Sequence, residues 1–237
     1  MKGRYLVVGG SGGIGAAIVK SLCRDYGITR VIATHFSTVP QLVHEKLEWH
    51  QLDTTVEASV ATLMSDIGDI DGVINCIGIL HNEKFGPEKS VSQLSLEKLT
   101  QNFTLNTWPT MLLSKYARRN LRKSESSIFV TISARVGSIE DNRLGGWYSY
   151  RASKAALNMF VKSLAIEWTR ALPNCAVAAL HPGTVATQLS DPFSKNVAPD
   201  KLFTPEQSAN YLLGVISMLE PETSGQFLAW DGTEIPW

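Results

Sequence analysis

The sequence has few cysteines and no recognisable arrangement of metal ligands. Cys23, Cys76 and Cys175 lie far apart in the chain of 237 residues, and no pair has the CxxC spacing of a zinc or redox motif. The five histidines are equally scattered and are expected to be surface or packing residues. Isolated thiols of this kind are typical of core residues in a reducing compartment. We therefore expect reduced thiols, no metal site and a cytoplasmic location.

Long apolar runs and an excess of charge of one sign are also missing. No stretch approaches the roughly 18 uncharged apolar residues of a membrane-spanning helix. The apolar run Tyr5–Val8 breaks at once into Gly9–Gly13, so we expect no targeting segment. The 22 Lys and Arg residues balance 22 Asp and Glu residues and do not cluster, which argues against nucleic acid or a membrane surface as a partner.

The chain does contain enough apolar residues, 44% of the total, for a sizeable core. Short β-rich runs, several apolar on both faces, alternate with longer helical patterns, which predicts a doubly wound parallel sheet of about seven strands with helices on both faces. No repeat or linker divides the chain, so residues 1–237 are expected to form one domain. The strands are predicted at Arg4–Val8, Arg30–Thr34, Leu47–Leu52, Gly72–Asn75, Ser127–Ser133, Ala176–Leu180 and Gln226–Trp230, and the helices at Ile14–Tyr26, Val56–Asp66, Ser95–Leu121, Trp147–Arg170 and Pro205–Leu219.

The first predicted strand runs into a glycine-rich segment, and a helical pattern opens directly after it. Glycine lets the backbone turn tightly and approach a pyrophosphate, and the helix N-terminus offers unpaired N–H groups with a partial positive charge. The segment matches GxGxxG from Gly10 and GxxxGxG from Gly9. The sequence therefore predicts a dinucleotide-phosphate cradle formed by Gly9, Ser11, Gly12, Gly13, Ile14 and Gly15.

The end of the second predicted strand bears on the choice of cofactor. An acidic residue there would hydrogen-bond the adenosine ribose of NAD, but the segment Ala33–Ser37 contains no carboxylate. Its absence favours NADP(H), whose 2′-phosphate an acid would repel. His35 is the candidate contact of the 2′-phosphate, although neither His35 nor Ser37 offers the paired N–H donors of an arginine guanidinium. NAD(H) remains the alternative cofactor.

Tyr150 and Lys154 lie four residues apart at the start of a predicted helix, so both side chains project from one face. Free tyrosine has a pKa of about 10, and a nearby ammonium group favours the phenolate. The pair therefore suits proton transfer near neutral pH. The YxxxK spacing alone is common, and it gains meaning here because it follows a dinucleotide cradle.

Together these motifs resemble the short-chain dehydrogenase/reductase family over essentially the whole chain, which implies a Rossmann-type fold. The resemblance implies that Asp53 contacts adenine, that Asn75 and Gly78 belong to an NxxG turn, and that Asn106 holds a water of the proton relay. Pro182–Thr187 resembles the PGxVxT segment that closes over the nicotinamide. The segment adds four predicted cofactor contacts, Pro182, Gly183, Val185 and Thr187.

The family mechanism implied is hydride transfer between the nicotinamide C4 and a carbonyl or carbinol carbon. Tyr150 would give or take the proton of the oxygen. Lys154 would lower the pKa of the tyrosine and hydrogen-bond the nicotinamide ribose. The substrate would be a small-molecule carbonyl compound or alcohol.

A serine completes the family pattern by polarising the substrate oxygen, and here the sequence departs from that pattern. The second of the two usual serines is Ala134. Ser133 is the preferred substitute, provided that the strand ends or twists there, because successive strand residues point to opposite faces. Ser138 is next, and Thr131 or the absence of any catalytic hydroxyl remain alternatives.

The segments Ser133–Tyr150 and Trp230–Trp237 most resemble the branch of C-factor-like and sniffer-like carbonyl reductases, which implies an NADP-dependent carbonyl reductase rather than an NAD-dependent alcohol dehydrogenase. The apolar faces of Ser95–Leu121 and Ala155–Trp168 exceed what one sheet face needs. Because the corresponding helices often pair between subunits in the family, we expect a homodimer or homotetramer.

The substrate pocket is expected to form from three segments and to be apolar with a few polar groups. This composition does not separate a small aldehyde, ketone or quinone from a lipid-like substrate. The part of the chain from Leu189 to Phe203 is also expected to be a loop beside the site. The three pocket segments are Leu80–Pro87, Ile139–Trp147 and Thr187–Phe203.

Two other functions share these motifs. A dinucleotide-binding regulatory or signalling protein without turnover is motivated by the missing serine at Ala134. The joint presence of Tyr150, Lys154 and Asn106 argues against it, since cofactor binding alone would not require all three. A nucleotide-sugar epimerase or dehydratase is disfavoured because fewer than 90 residues follow Tyr150, and those chains usually carry a larger C-terminal substrate domain.

Overall fold

The computed structural model describes residues 1–194 and 198–237. Its centre is a sheet of seven strands in which every neighbouring pair is parallel. Two further short strands pair with each other beside it. In chain order the strands are β1 Gly3–Val8, β2 Ile28–His35, β3 Leu47–Gln51, β4 Gly72–Asn75, β5 Ser127–Ile132, β6 Cys175–His181, β7 Thr184–Val185, β8 Leu202–Phe203 and β9 Gln226–Ala229.

Among the described residues, six α-helices cover the two faces of the sheet, whose strand order is β3-β2-β1-β4-β5-β6-β9. They are α1 Gly13–Arg24, α2 Glu57–Asp66, α3 Leu96–Asn106, α4 Trp108–Leu121, α5 Tyr148–Ala171 and α6 Pro205–Ser217. On one face of the sheet, α1 and α6 pack into the core through Ile18 and Leu212. On the other face, α2, α4 and α5 pack into a second core through Val60, Leu113 and Leu157. The predicted Rossmann-type doubly wound sheet is confirmed. In the part of the chain that the structure describes, no helix is long and apolar enough to cross a membrane.

The central strands show why the alternating pattern predicted this architecture. Along β1, Leu6 and Val8 lie in one core and Val7 lies in the other, and all three are fully buried. Successive strand residues point to opposite faces, so a strand that is buried on both faces must be apolar throughout. Strands of this kind need helices on both sides of the sheet.

The sequence predicts one helix over Ser95–Leu121, but the structure has two. The helical conformation is interrupted at Thr107, between α3 and α4. Pro109 lies in the first turn of α4. In one continuous helix this proline would leave the carbonyl of Leu105 without its N–H donor and would clash with it. The Thr107 hydroxyl donates to the carbonyl oxygen of Ser153 in α5, 2.8 Å away, so the interruption also ties the two helices to the first turns of α5.

The strand order places the ligand-binding edge of the sheet. After β1 the chain adds β2 and β3 on one side, then crosses back to place β4 on the other side of β1. In open sheets of this type, ligands bind outside the carboxyl ends of the strands at such a reversal. The Cys76 N–H donates to the Val8 carbonyl at 2.9 Å, so the segments that follow β1 and β4 leave the sheet side by side.

Candidate active site

The glycine-rich segment after β1 forms an open turn that ends at the N-terminus of α1. Gly9 adopts φ +76°, a conformation that favours glycine, and its N–H donates to the Thr34 hydroxyl at 3.0 Å. The Gly12 N–H donates to the Gly9 carbonyl at 3.3 Å. Gly12 is the N-cap of α1 and has no side chain with which to cap it, so the first N–H groups of the helix face the turn. This arrangement suits an anion.

The glycines of the cradle differ in how much room surrounds them. A Cβ on Gly15 would overlap the Gly9 carbonyl, and one on Gly13 would lie 2.6 Å from the Thr187 methyl group. A Cβ on Gly12 would meet nothing closer than 3.9 Å. The turn is therefore closed on its protein side and open at Gly12. Ser11 is exposed beside it, and Ile14 lines the cavity described below.

Two predicted contacts of the adenosine half lie at the ends of β2 and β3. His35 is buried, and its ring packs edge-on against Trp49 with centroids 6.4 Å apart. Phe36, the next residue, is 66% exposed. Asp53 lies just after β3, and one of its carboxylate oxygens accepts from the N–H and hydroxyl of Thr55 at 2.9 and 2.6 Å. Asp53 therefore closes a local turn at the edge where an adenine would lie.

The predicted NxxG turn after β4 packs against α3 and α5. Asn75 accepts from the Ile77 N–H at 3.1 Å and donates to the Thr110 hydroxyl at 2.9 Å, so it shapes the turn and holds it against α4. A Cβ on Gly78 would lie 3.3 Å from both Asn106 Oδ1 and Lys154 Nζ. Glycine at this position therefore lets the turn approach both predicted catalytic residues.

Asn106, the last residue of α3, is buried among main-chain and side-chain hydrogen-bond partners. Its Oδ1 accepts from the Ile79 N–H at 2.7 Å, and its Nδ2 lies 3.0 Å from the Ile79 carbonyl. The same Nδ2 lies 3.1 Å from Asn102 Oδ1 and 3.0 Å from the Ser153 hydroxyl. Asn106 thus joins α3, the turn after β4 and α5 at one point.

Tyr150 and Lys154 lie on the buried face of the first turns of α5. Tyr150 is 7% exposed, and Lys154 donates from Nζ to the Ile132 carbonyl at 3.0 Å. Burial raises the pKa of Tyr150 above its ordinary value and lowers the pKa of Lys154 to about 8. The phenol is therefore protonated at neutral pH, and the ammonium group can lose its proton just above neutral pH.

The hydroxyl groups expected near the substrate oxygen are all engaged elsewhere. Ser133 lines the cavity, but its hydroxyl donates to Asn158 Oδ1 at 2.6 Å. The Ser138 hydroxyl is buried and accepts from the Asp141 N–H at 3.0 Å. Thr131 is buried, with its hydroxyl 3.0 Å from that of Thr110. The structure therefore brings Ser133 to the site without a free hydroxyl.

Tyr150, Lys154 and Ser133 line a cavity of about 370 Å³ at the carboxyl ends of β4, β5 and β6, whereas Asn106 and Ser138 do not reach it. The Pro182–Thr187 segment lines one side of it, and there Gly183 adopts φ +78°. Of the predicted pocket segments, 139–147 contributes Trp147, 80–87 contributes Leu80, and 187–203 contributes its beginning. Residues 195–197 of the predicted loop lie outside the described part of the chain.

The start of α5 is held by a residue that the sequence analysis did not single out. Glu88, in the loop after β4, is 2% exposed, and its carboxylate accepts from the Ser149 N–H at 3.2 Å and from the Ser149 hydroxyl. The Glu88 carbonyl accepts from the Trp147 N–H at 2.6 Å. Trp147 has φ +52°, which is unusual for a bulky residue, and its ring packs on Tyr150. Glu88 therefore caps α5 from a distant loop.

Replacing Glu88 with alanine is expected to lower the free energy of unfolding by about 2 kcal/mol. The change removes a helix cap and leaves the buried N–H and hydroxyl of Ser149 without an acceptor. Chemical denaturation measures the loss. Glu83→Ala is the matched control, because Glu83 is an exposed acid in the same loop, and it should change stability by less than about 0.5 kcal/mol. Equal stability of the two variants would contradict the capping role.

His181, at the end of β6, also faces the cavity. Its Nδ1 lies 3.3 Å from the Arg135 N–H, which donates to it. Burial, aided by the nearby Arg135 guanidinium, lowers the pKa of His181 to about 4, while Asp231 opposes the shift. The imidazole is therefore neutral at neutral pH. The sequence offered no sign of this position beyond the histidine itself.

The depressed pKa of His181 predicts a pH dependence of stability. Between pH 6.5 and 4 the unfolded chain protonates this histidine and the folded chain does not, so stability falls as the pH drops through that window. At pH 5 the wild type should have lost about 2 kcal/mol through this group, and His181→Gln should lack this component. Denaturation of both proteins at pH 7.5 and 5 measures the difference, and identical pH dependence would contradict it.

Comparison with known proteins agrees with this geometry. A family model described as short chain dehydrogenase matches residues 4–198. A 1-hydroxy-2-glutathionyl-2-methyl-3-butene dehydrogenase of Rhodococcus sp. (strain AD45) is 32% identical, over 98% of each chain. The C-signal protein of Myxococcus xanthus is 33% identical, over 72% of this chain and 94% of its own.

Solved structures show the same fold. An NADPH-bound carbonyl reductase from chicken fatty liver superposes with a TM-score of 0.86 at 26% identity, covering 99% of this chain and 94% of its own. The carbonyl reductase Sniffer of D. melanogaster gives a TM-score of 0.87 at 23% identity over the whole of both chains. With its cradle, its YxxxK helix and its seven-stranded sheet, the chain belongs to the short-chain dehydrogenase family.

Proposed function

We propose that this protein is an NADP(H)-dependent carbonyl reductase with Tyr150 as the general acid/base and Lys154 as its partner. The observation that carries the proposal is the pair itself, which is buried on one face of α5 and lines a cavity beside an open phosphate cradle. A lysine is seldom this buried without a carboxylate partner unless its charge is used.

In carbonyl reduction each of these residues would have a separate role. A nicotinamide cofactor, when bound, would supply the hydride that adds to the carbonyl carbon. Tyr150 holds a proton at neutral pH and donates it to the carbonyl oxygen. Lys154, with its pKa lowered to about 8, would hydrogen-bond the nicotinamide ribose and stabilise the phenolate that remains. Asn106 positions the turn that approaches both groups.

The cofactor would lie across the carboxyl edge of the sheet. The cradle would hold its pyrophosphate, Asp53 would approach the adenine, and the Pro182–Thr187 segment would cover the nicotinamide. NADP(H) is preferred over NAD(H) because no carboxylate stands among Ala33–Ser37 at the end of β2. The chicken liver carbonyl reductase was solved with NADPH, which supports the same preference. An NADP preference would favour reduction over oxidation.

A regulatory protein that binds a dinucleotide without turnover is the second candidate. Ala134 stands where the family places its serine, and the hydroxyl of Ser133 donates to Asn158. The resemblance to the C-signal protein also motivates this alternative. The two candidates differ in one measurable property, the oxidation of the reduced cofactor by a carbonyl compound.

The test is a fluorescence titration with NADPH and NADH, followed by absorbance assays with a panel of aldehydes, ketones, diketones and quinones. Carbonyl reductase activity predicts tighter binding of NADPH and its oxidation by at least one compound in the wild type but not in Tyr150→Phe. Binding without oxidation in either protein would favour the regulatory candidate. Absence of binding would contradict both.

We further propose a cytoplasmic homodimer or homotetramer. The groove between α4 and α5 is lined by Trp108, Met111, Phe160 and Leu164, with Trp108 40% exposed. This supports pairing through these two helices. Light scattering after size exclusion measures the mass, and Met111→Glu should shift it toward that of the monomer.

A further inference from the structure

Carbonyl reduction needs more than the proton of Tyr150, because negative charge develops on the substrate oxygen. A second hydrogen-bond donor at that oxygen usually lowers the barrier substantially. Ala134 cannot supply one, and Ser133 uses its hydroxyl for Asn158. If the proposed function holds, another side chain of the cavity has to donate to this oxygen.

Most polar side chains that line the cavity are engaged. Lys154 donates to the Ile132 carbonyl, and Ser190 donates to the carbonyl oxygens of Val185 and Thr187. Arg135 pairs with Asp141 at 3.2 Å at the protein surface. Besides Tyr150, the described cavity-lining side chains with a donor that has no hydrogen-bond partner include His181 and Thr184. The Trp147 indole N–H also has none, but its ring packs edge-on against Tyr150 and Phe193, and Lys154 and Arg135 keep further N–H groups beside those already engaged.

The position of His181 favours it over Thr184. Along β6, Val177 and Ala179 face the core formed with α5, and His181 follows with the same alternation. Its side chain therefore lies on the face of the sheet that carries Tyr150. The Ser133 N–H donates to the Leu180 carbonyl at 2.7 Å, so the end of β6 lies directly beside the Ser133–Ala134 segment. Thr184 lies beyond the Gly183 turn.

The orientation of the imidazole is set by its other nitrogen. The Arg135 N–H donates to Nδ1 at 3.3 Å, so Nδ1 must carry a lone pair and a neutral ring carries its proton on Nε2. Burial and the Arg135 guanidinium keep the ring neutral at neutral pH, with only Asp231 acting in the opposite sense. The ring thus offers one N–H donor and has no tendency to give the proton away.

We propose that His181 is a further catalytic residue, whose Nε2–H donates a hydrogen bond to the substrate carbonyl oxygen in the role that the family assigns to serine. When hydride adds to the carbonyl carbon, the π electron pair of the C=O bond moves to the oxygen. The oxygen takes the proton of the Tyr150 hydroxyl, and His181 keeps its own proton throughout. His181 therefore stabilises charge and does not titrate during turnover.

The experiment compares four variants with the wild type on the best compound of the carbonyl panel. His181→Phe removes the donor and should lower kcat/KM about 10²-fold, the loss typical of removing one donor at a developing oxyanion, with the affinity for NADPH unchanged. His181→Gln keeps an N–H donor and should lose less than His181→Phe. Adding Ala134→Ser to His181→Phe restores the family serine and should recover at least tenfold. Thr184→Val tests the competing donor.

A second measurement does not depend on turnover. In protein labelled with ¹⁵N at histidine, long-range ¹H–¹⁵N spectra distinguish the two neutral tautomers and the imidazolium ion. His181 should be the Nε2–H tautomer from pH 5.5 to 8. The Nδ1–H tautomer, or a charged ring at pH 7, would overturn the proposal even if His181→Phe failed to fold.

The outcomes separate this role from the proposed function. An active wild type with full activity in His181→Phe would overturn the role of His181 and leave the reductase in place. So would a loss of activity in Thr184→Val that is absent from His181→Phe. A wild type that oxidises neither cofactor with any carbonyl compound would overturn the reductase, and the role of His181 with it.

Discussion

Tyr150→Phe is expected to lower kcat by a factor of about 10²–10⁴, the usual effect of removing a positioned acid–base group. The substitution deletes one hydroxyl from a side chain that is 7% exposed and keeps the ring that packs against Trp147. Stability and cofactor affinity should therefore change little. Steady-state kinetics on the best carbonyl substrate, with a fluorescence titration of NADPH, measures both quantities.

The matched control for this variant is Tyr148→Phe. Tyr148 lies two residues earlier on α5, is 41% exposed and points to a different side of the helix. Its hydroxyl has no part in the proposed chemistry, so kcat should stay within about twofold of the wild-type value. A similar loss in both variants, or none in Tyr150→Phe, would contradict the role of Tyr150.

Gly15→Ala is expected to abolish measurable cofactor binding and to destabilise the fold. Its Cβ would overlap the carbonyl of Gly9, so the turn between β1 and α1 must move, at a cost of about 1–3 kcal/mol. Displacing that turn removes the N–H groups that would hold a pyrophosphate. Thermal denaturation and NADPH titration measure the two effects.

Gly12→Ala tests the contact with the cofactor without disturbing the turn, unlike Gly15→Ala. A Cβ at this position would meet nothing closer than 3.9 Å, and residue 12 has φ −100°, which alanine adopts freely. The variant should fold with wild-type stability yet bind NADPH at least tenfold more weakly, a change of about 1.4 kcal/mol. Unchanged affinity in Gly12→Ala would place the pyrophosphate somewhere else.

Much of the fold could be predicted because its signals are local. Strands that are apolar on both faces, such as Leu6–Val8, can only lie inside a sheet covered on both sides. The prediction missed the break at Thr107, although Pro109 marked it. The apolar pattern continues across the interruption, so it predicted one long helix although Pro109 lacks the N–H that a continuous helix needs.

The site was predictable only where its residues share one element or one turn. The cradle and the YxxxK helix are both of this kind. The partner of Ser133 could not be inferred, since Asn158 lies 25 residues away and meets it only after α5 packs on the sheet. Glu88 was missed for the same reason, because it lies in a polar loop 61 residues before Ser149. Such contacts form only through tertiary packing, so no regular spacing in the sequence marks them.

The cap that Glu88 places on α5 has a consequence for changing substrate specificity. The loop after β4 contributes to the wall of the cavity and, through Glu88, also anchors the helix that carries Tyr150. Exchanging this loop for that of a relative would thus replace both a pocket wall and the support of the proposed proton donor, Tyr150. Libraries that diversify the loop should keep an acid at position 88 and a hydroxyl at position 149, so that recognition can vary while turnover is retained.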